Sequence, residues 1–405
     1  MSIILRDKDT PLWYNQDVEG VRTDTRVCNL SYLQTDWYID QMKRPAYDSP
    51  SLPITWPRLD FCSGTNEYVE VQPSLKEQVK ELYRQNPEVA KQQFGEEPFE
   101  LKNILERWVR SKDEDMHVIP TDTVFVTIDK EAVRKSGMLM AADSIPDKMA
   151  ISLVGKRALY KGDLMMLELI SQANWVRPIY VATTVGQDNY MNLGENFVQE
   201  GLANRITPFS TYHTDSSGNL IPNPGIKQLD TEKTFNNVMN RYKYGGLDQK
   251  GLYIDETIMR MCYTHRNLMG TLAMNLIAED KKDKALQVLE KCQKEIPDYN
   301  VPHNYRSGSM DLANAYQLLG KKAEASKIVE ELWKNSSQYL KYYTSLDGGR
   351  FAASQGDCLR HFYVMQRLIQ IEDNIDKTRA DKMGRELDAY TQFYYAKGGK
   401  FPGLE

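Results

Sequence analysis

No apolar run in the chain approaches the roughly 20 residues that a helix needs to cross a bilayer, so no segment reads as a membrane span and the chain is expected to be soluble. The start is equally bare. Met1-Ser2-Ile3-Ile4-Leu5 meets Arg6 and Asp7 at once, too short an apolar stretch for a signal peptide. Cysteine is scarce: Cys28, Cys62, Cys262, Cys292 and Cys358 are odd in number, widely spaced and never in a CxxC pair. That excludes a zinc knuckle, a dithiol site and a disulfide framework, and it leaves Cys28, Cys262 and Cys292 as small core residues. There is no basic excess either. With a net charge of −5 the chain offers no footprint for nucleic acid or for an anionic membrane surface. Catalytic signatures are missing too: no GxSxG, no Walker loop, no GxGxxG. His117, His213, His265, His303 and His361 form no HxH, HxxxH or HExxH pair, so the sequence calls for no metal and no cofactor.

What is present is ordinary globular material, 41% hydrophobic and 26% charged over 405 residues, enough for more than one core. The first half reads as α/β, a mixed or parallel sheet covered by helices. Residues 12–18 form a first helical turn or two that ends at Gly20. Val27 to Leu33 alternates with a period of two and predicts a strand. Thr35 or Asp36 caps a helix over 36–43, which Pro45 stops. Pro45, Pro50, Pro53 and Pro57 then forbid regular structure, which predicts a connector or a lid. Further strands are expected at 68–71, 123–128, 151–154, 177–183 and 204–209, and helices at 75–84, 99–109, 162–173 and 190–199. In such sheets ligands sit beyond the carboxyl ends of the strands, which favours Tyr32 to Asp36, Asp129, and Thr183 to Asn189 as a binding rim.

Residues 212–230 are rich in Ser, Asn, Pro and Gly and read as a linker. Beyond them the pattern is helical only. Ala273 and Ala285, then Ala313 and Ala325, are each 12 apart, with Leu276, Leu289, Tyr316 and Gly320 at matching places; this is the spacing of tetratricopeptide-like helical hairpins over 266–298 and 306–335. The units are offset by 40 residues rather than 34, and Tyr299 to His303 takes up the excess. A third pair over 356–396 would cap the stack.

The run Pro11 to Arg44, PLWYNQDVEGVRTDTRVCNLSYLQTDWYIDQMKR, resembles the junction segment of a family of bacterial multi-spanning membrane proteins similar to GT-C protein O-mannosyltransferases. Asn174 to Ala182 and Gly201 to Ile206 resemble the same family, as does the helical-repeat tail, while residues 1–10 depart from it as an atypical N-terminal extension. The resemblance implies the soluble, extracytoplasmic (periplasmic) region of a membrane-embedded glycosyltransferase-like protein, following its last membrane helix. It places the family's catalytic machinery in the membrane domain, outside this chain.

Two groups of residues stand out as binding candidates. Asp24, Arg26, Tyr32, Asp36, Trp37, Trp175, Arg177 and Tyr180 flank two expected strands and combine aromatic faces with carboxylates and guanidiniums, the composition of a sugar or peptide groove. Asn267, Met274, Met310, Asn314 and Gln317 would line the groove of the repeats and suit a polypeptide partner. Asp7-Lys8-Asp9 and Asp113-Glu114-Asp115 fit a D-x-D pattern, but both lie in charged tracts where a solvated loop is the ordinary reading. Three functions follow as expectations. The first is a non-catalytic module binding an acceptor polypeptide or protein partner, with a glycan as a further ligand. The second is a free-standing sugar-processing domain using Asp24, Asp36 or Asp129 as acid or base. The third is an assembly scaffold.

Overall fold

The computed structural model describes residues 3–6, 10–138, 145–173, 175–217, 219–223 and 225–401. Asp7 to Asp9 and Asn174 lie outside them. The chain divides into two compact units, Met1–Asp230 and Thr231–Glu405.

The first unit runs β1 (Ile3–Arg6), α1 (Thr10–Asp17), β2 (Arg26–Asn29), α2 (Asp36–Met42), β3 (Tyr68–Val71), α3 (Leu75–Gln85), α4 (Pro87–Phe94), α5 (Leu101–Asn103), β4 (Val118–Ile119), β5 (Thr123–Thr127), α6 (Lys130–Lys135), β6 (Lys148–Ser152), β7 (Ala158–Tyr160), α7 (Lys161–Ser171), β8 (Ile179–Ala182), β9 (Phe197–Gln199), β10 (Ala203–Ile206), β11 (Tyr212–Thr214) and β12 (Leu220–Pro222). Its main sheet is mixed, in the order β2-β1-β8-β10-β9. β1 pairs in parallel with β2 and β8, while β10 is antiparallel to both β8 and β9. Leu5, Cys28 and Val181 meet in register and are fully buried, as strands covered on both faces must be. The α/β expectation therefore holds.

Several local expectations do not. Within the stretch read as an atypical extension, Ile3–Arg6 is an inner strand of the sheet. Four residues without a period carry no local signal, and one of β1's partners lies far along the chain. The strand expected over 27–33 ends at Asn29, whose Oδ1 accepts the N–H of Tyr32 (3.1 Å) and turns the chain into a 3-10 turn, Tyr32–Gln34. Residues 190–199 are not a helix but a 3-10 turn, Leu193–Asn196, followed by β9. Met191 and Asn192 have φ of 50° and 58°, which no helix interior accommodates. The proline segment is no lid. Leu52, Ile54 and Trp56 are buried, and the carboxylate of buried Glu168 accepts both Thr55 N–H (2.9 Å) and Thr55 Oγ1–H (2.6 Å), pinning the segment to α7. Within 212–230, the stretch read as linker, β11 and β12 pair as a hairpin. The cysteines are free, as their spacing implies.

The second unit is all-helical: α8 (Thr231–Asn240), α9 (Glu256–Ala278), α10 (Lys282–Glu295), α11 (Ser309–Leu318), α12 (Lys322–Ser345), α13 (Gly348–Asp373) and α14 (Lys377–Ala396). α9 packs on α10, α11 on α12 and α13 on α14, each pair joined by a short turn. Ala273, Ala285, Ala313 and Ala325 are buried at the close approaches. The turns after α9 and α11 repeat each other 40 residues apart. Lys281 N–H bonds Leu276 O and Lys321 N–H bonds Tyr316 O, both at 2.8 Å, across left-handed residues Asp280 (φ 58°) and Gly320 (φ 74°). In the excess segment, buried Arg266 donates to the carbonyls of Ile296 (2.9 Å) and Val301 (2.6 Å). Gly308, at φ 71°, crosses α9 so closely that a Cβ would stand 2.6 Å from Asn267 Cα. His361, 2% exposed, stacks on Tyr339 (4.8 Å, 14°), meets Tyr305 edge-on (5.1 Å) and lies 3.2 Å from Ser336 Oγ.

Candidate functional site

The residues between β2 and the proline segment build a cleft of about 440 Å³ lined by Arg26, Trp37, Asp40, Gln41, Arg44, Pro45, Ala46 and Arg58. Its floor comes from β2. Arg26 opens that strand, is only 5% exposed, and donates through Nη2 to Gln41 O (2.7 Å). Among the described residues its Nε has no partner, and burial lowers its pKa from the ordinary arginine value. One wall is α2. Asp36 and Asp40 stand one turn apart on it and hold the same guanidinium: Arg58 pairs with Asp40 through Nη1 and reaches Asp36 through Nη2 at 3.5 Å. Thr35 precedes α2 but does not cap it with its side chain; its hydroxyl turns back to Tyr32 O (2.7 Å).

Aromatic rings form the rim. Tyr32 stacks on Trp13 (6.1 Å, 21°) and packs at a tilt against Trp37 (5.9 Å, 49°), and both Tyr32 and Trp37 meet the buried Tyr38 edge-on. Trp37 remains 55% exposed and Tyr32 41%. Ring packing fixes these side chains while leaving apolar faces open to solvent, at little cost in side-chain entropy on binding. Arg26, Arg44 and Arg58 outnumber the carboxylates of Asp36 and Asp40, so the cleft carries a positive balance.

Of the sequence candidates, Arg26, Tyr32, Asp36 and Trp37 come together here. Arg177 lies behind them, donating to Ser51 O (2.8 Å) and Ser49 Oγ (3.1 Å); burial and the charge of Arg26 both lower its pKa. Asp24 is held by Arg22 in a two-point ion pair (2.7 and 3.0 Å), which lowers its pKa. Trp175 is buried with φ 58°. Tyr180 points into the sheet and donates to Glu200 (2.7 Å); burial pushes its hydroxyl pKa up. Neither of those last two lines the cleft. Asp129 caps α6, its Oδ1 accepting from Glu131 N–H and Ala132 N–H (both 3.0 Å), and it lines none of the clefts described here. The expected rim at the strand carboxyl ends is narrow: Leu30, Ser31, Gln34, Asn189 and the first turn of α7 leave about 80 Å³.

In the second unit Asn267 is exposed and donates to Arg306 O (3.2 Å), while Met274, Met310, Asn314 and Gln317 are half-buried on α9 and α11. Sequence reasoning missed a cluster there: ligand atoms of Asp298, His303 and Glu331 lie within 4.8 Å of one another. Lys327 Nζ, 2.5 Å from Asp298 and 3.9 Å from Glu331, already supplies the cation. It also missed Asp40, Arg44 and Arg58. The four-residue spacing of Asp36 and Asp40 was the available signal.

The chain thus combines a mixed α/β unit carrying an aromatic and charged surface cleft with a unit of helical hairpins. The chain belongs to the family named TMEM260-associated domain 2, whose model matches residues 3–223, from the first residue of β1 to just beyond β12. No curated protein and no solved structure matches it. Among the described residues, no helix is long and apolar enough to cross a membrane.

Proposed function

We propose that the chain is the non-catalytic recognition region of a glycosyltransferase-like membrane protein, working on the extracytoplasmic side and holding a sugar-bearing acceptor polypeptide in the cleft of Arg26, Trp37 and Arg58. The resemblance to O-mannosyltransferase-like proteins motivates the sugar. The observation that carries the reading is Trp37, held against Tyr38 yet 55% exposed beside an arginine–carboxylate network. The apolar face of a pyranose stacks on such a ring while its hydroxyls bridge guanidinium and carboxylate, and a volume of about 440 Å³ suits one or two sugar units. The helices of the second unit then serve as a tetratricopeptide-like stack that presents or docks the polypeptide. No transfer is assigned to this chain, because the resemblance places the family's catalytic machinery in the membrane domain.

The test is calorimetric. A serine/threonine peptide carrying one α-linked mannose should bind the purified chain more tightly than the same peptide without sugar. Trp37→Ala should cost about tenfold, in line with the 0.5–1.5 kcal/mol typical of one aromatic stack. Equal affinity for both peptides, an unchanged Trp37→Ala variant, or turnover of an activated sugar by the chain alone would each reject the reading.

A further inference from the structure

A second groove of the first unit, with a lining distinct from that of the aromatic cleft, runs beside a two-stranded sheet. β5 and β6 form that sheet. The outer side of β5 is covered: Phe125 N–H bonds Phe99 O (2.9 Å), and Thr127 donates through N–H (2.9 Å) and Oγ1 (3.0 Å) to the Glu100 carboxylate. Among the described residues, β6 has no such cover. Leu153 N–H to Asp122 O (2.7 Å) and Ile128 N–H to Asp147 O (2.9 Å) fix the phase of the antiparallel ladder, in which Val124 faces Ile151 and Val126 faces Met149. The inward backbone groups on this strand are therefore those of residues 147, 149, 151 and 153. Lys148, Ala150 and Ser152 turn their N–H and C=O groups off the free edge. Ser152 O is taken by the Asn192 amide (2.9 Å). Among the described residues, nothing bonds the backbone N–H or C=O of Lys148 or Ala150.

An edge left like this is a template for another strand, and folded proteins ordinarily blunt it. Here it is recessed instead. It borders a groove of about 1110 Å³ that Tyr190, Leu220 and Ile226 and the largely buried rings of Phe197 and Phe209 also line. The loop bearing Asn192 stands over one end. The Lys148 amine, which would otherwise guard the edge, is drawn aside to Glu97 (2.7 Å).

We propose that this groove takes an extended segment of another polypeptide, about five residues long, which adds to β6 as an antiparallel or parallel strand and lays alternate apolar side chains on that lining. Only an extended backbone repeats donors and acceptors at the two-residue spacing that Lys148 and Ala150 present. A second copy of the chain is disfavoured, because pairing β6 with β6 would bring two such linings into the same space.

The probe is a panel of acetylated, amidated heptapeptides alternating valine or isoleucine with threonine, in both registers, added to the full chain. Hydrogen exchange at the amides of Lys148 and Ala150 should slow at least tenfold in their presence. Methylating the peptide nitrogens of one alternate set should weaken binding at least tenfold, and methylating the other set should not. Ala150→Pro removes an outward N–H without touching the ladder to β5, so it should abolish the binding while leaving the urea midpoint close to wild type. No peptide binding below about 1 mM, equal effects of the two methylation patterns, protection elsewhere in the chain, or a dimer protected at the same amides would overturn the proposal. The peptides carry no sugar, so this outcome is independent of the aromatic cleft.

Discussion

Acid should weaken the helical unit through His361. Its imidazole is 2% exposed among Tyr305, Tyr339 and Tyr343, and burial pushes its pKa down from the ordinary 6.5 to about 4. Asp357 opposes that shift, and Arg360 and Arg306 add to it. In the unfolded chain the ring takes up its proton near 6.5, whereas in the fold it stays neutral until about 4. The folded pKa is the lower one, so the contribution is complete above 6.5 and is lost as the pH falls toward 4. Linkage over that interval gives roughly 3 kcal/mol at the limit and about 2 kcal/mol at pH 5. Phenylalanine fills the same slot between the tyrosines without a titrating group. Urea unfolding of the full chain, followed at 222 nm at pH 7.5 and pH 5, should show His361→Phe losing about 2 kcal/mol less than wild type on acidification. His303, also pushed down to about 4 by burial, acts in the same direction in both proteins and cancels in the comparison. An equal loss in the two proteins, or an imidazole that titrates above pH 6 by NMR, would refute the reasoning.

Other expectations are simpler to score. Asp280→Gly should stabilise the chain by about 1 kcal/mol by relieving a left-handed residue, and Gly320→Ala at the equivalent turn should cost about as much, both read from urea midpoints. Arg266→Met keeps the volume but leaves the carbonyls of Ile296 and Val301 without their donor, at a cost of about 2–4 kcal/mol; a variant within 0.5 kcal/mol of wild type would contradict that.

Legibility in the sequence followed the range of the interactions. The helical hairpins could be read because Ala273 and Ala285, and again Ala313 and Ala325, mark contacts a few turns apart on neighbouring helices. β5 could be read because Thr123-Val124-Phe125-Val126-Thr127 is a run of β-branched and aromatic residues. β1 could not, since Ile3–Arg6 acquires its meaning only beside β8. The cleft divides the same way. Tyr32, Asp36 and Trp37 are neighbours on one turn and helix, whereas Arg58 reaches Asp36 and Asp40 only after the proline segment has been pinned by Glu168. Trp175 and Tyr180 looked like site residues by composition, but Trp175 is buried and the half-buried Tyr180 is tied to Glu200, so neither lines the cleft.

The place of β1 has a consequence for biosynthesis. One flank is closed early, by β2, but the other waits for Ile179–Ala182, about 170 residues further along. At ordinary elongation rates of roughly 5–20 residues per second, the nascent chain carries that open strand for about 10–35 seconds. A holdase at the ribosome, or on the far side of a translocation channel, has that interval in which to act, and slowing translation just before residue 179 should lengthen it and lower the yield of folded chain.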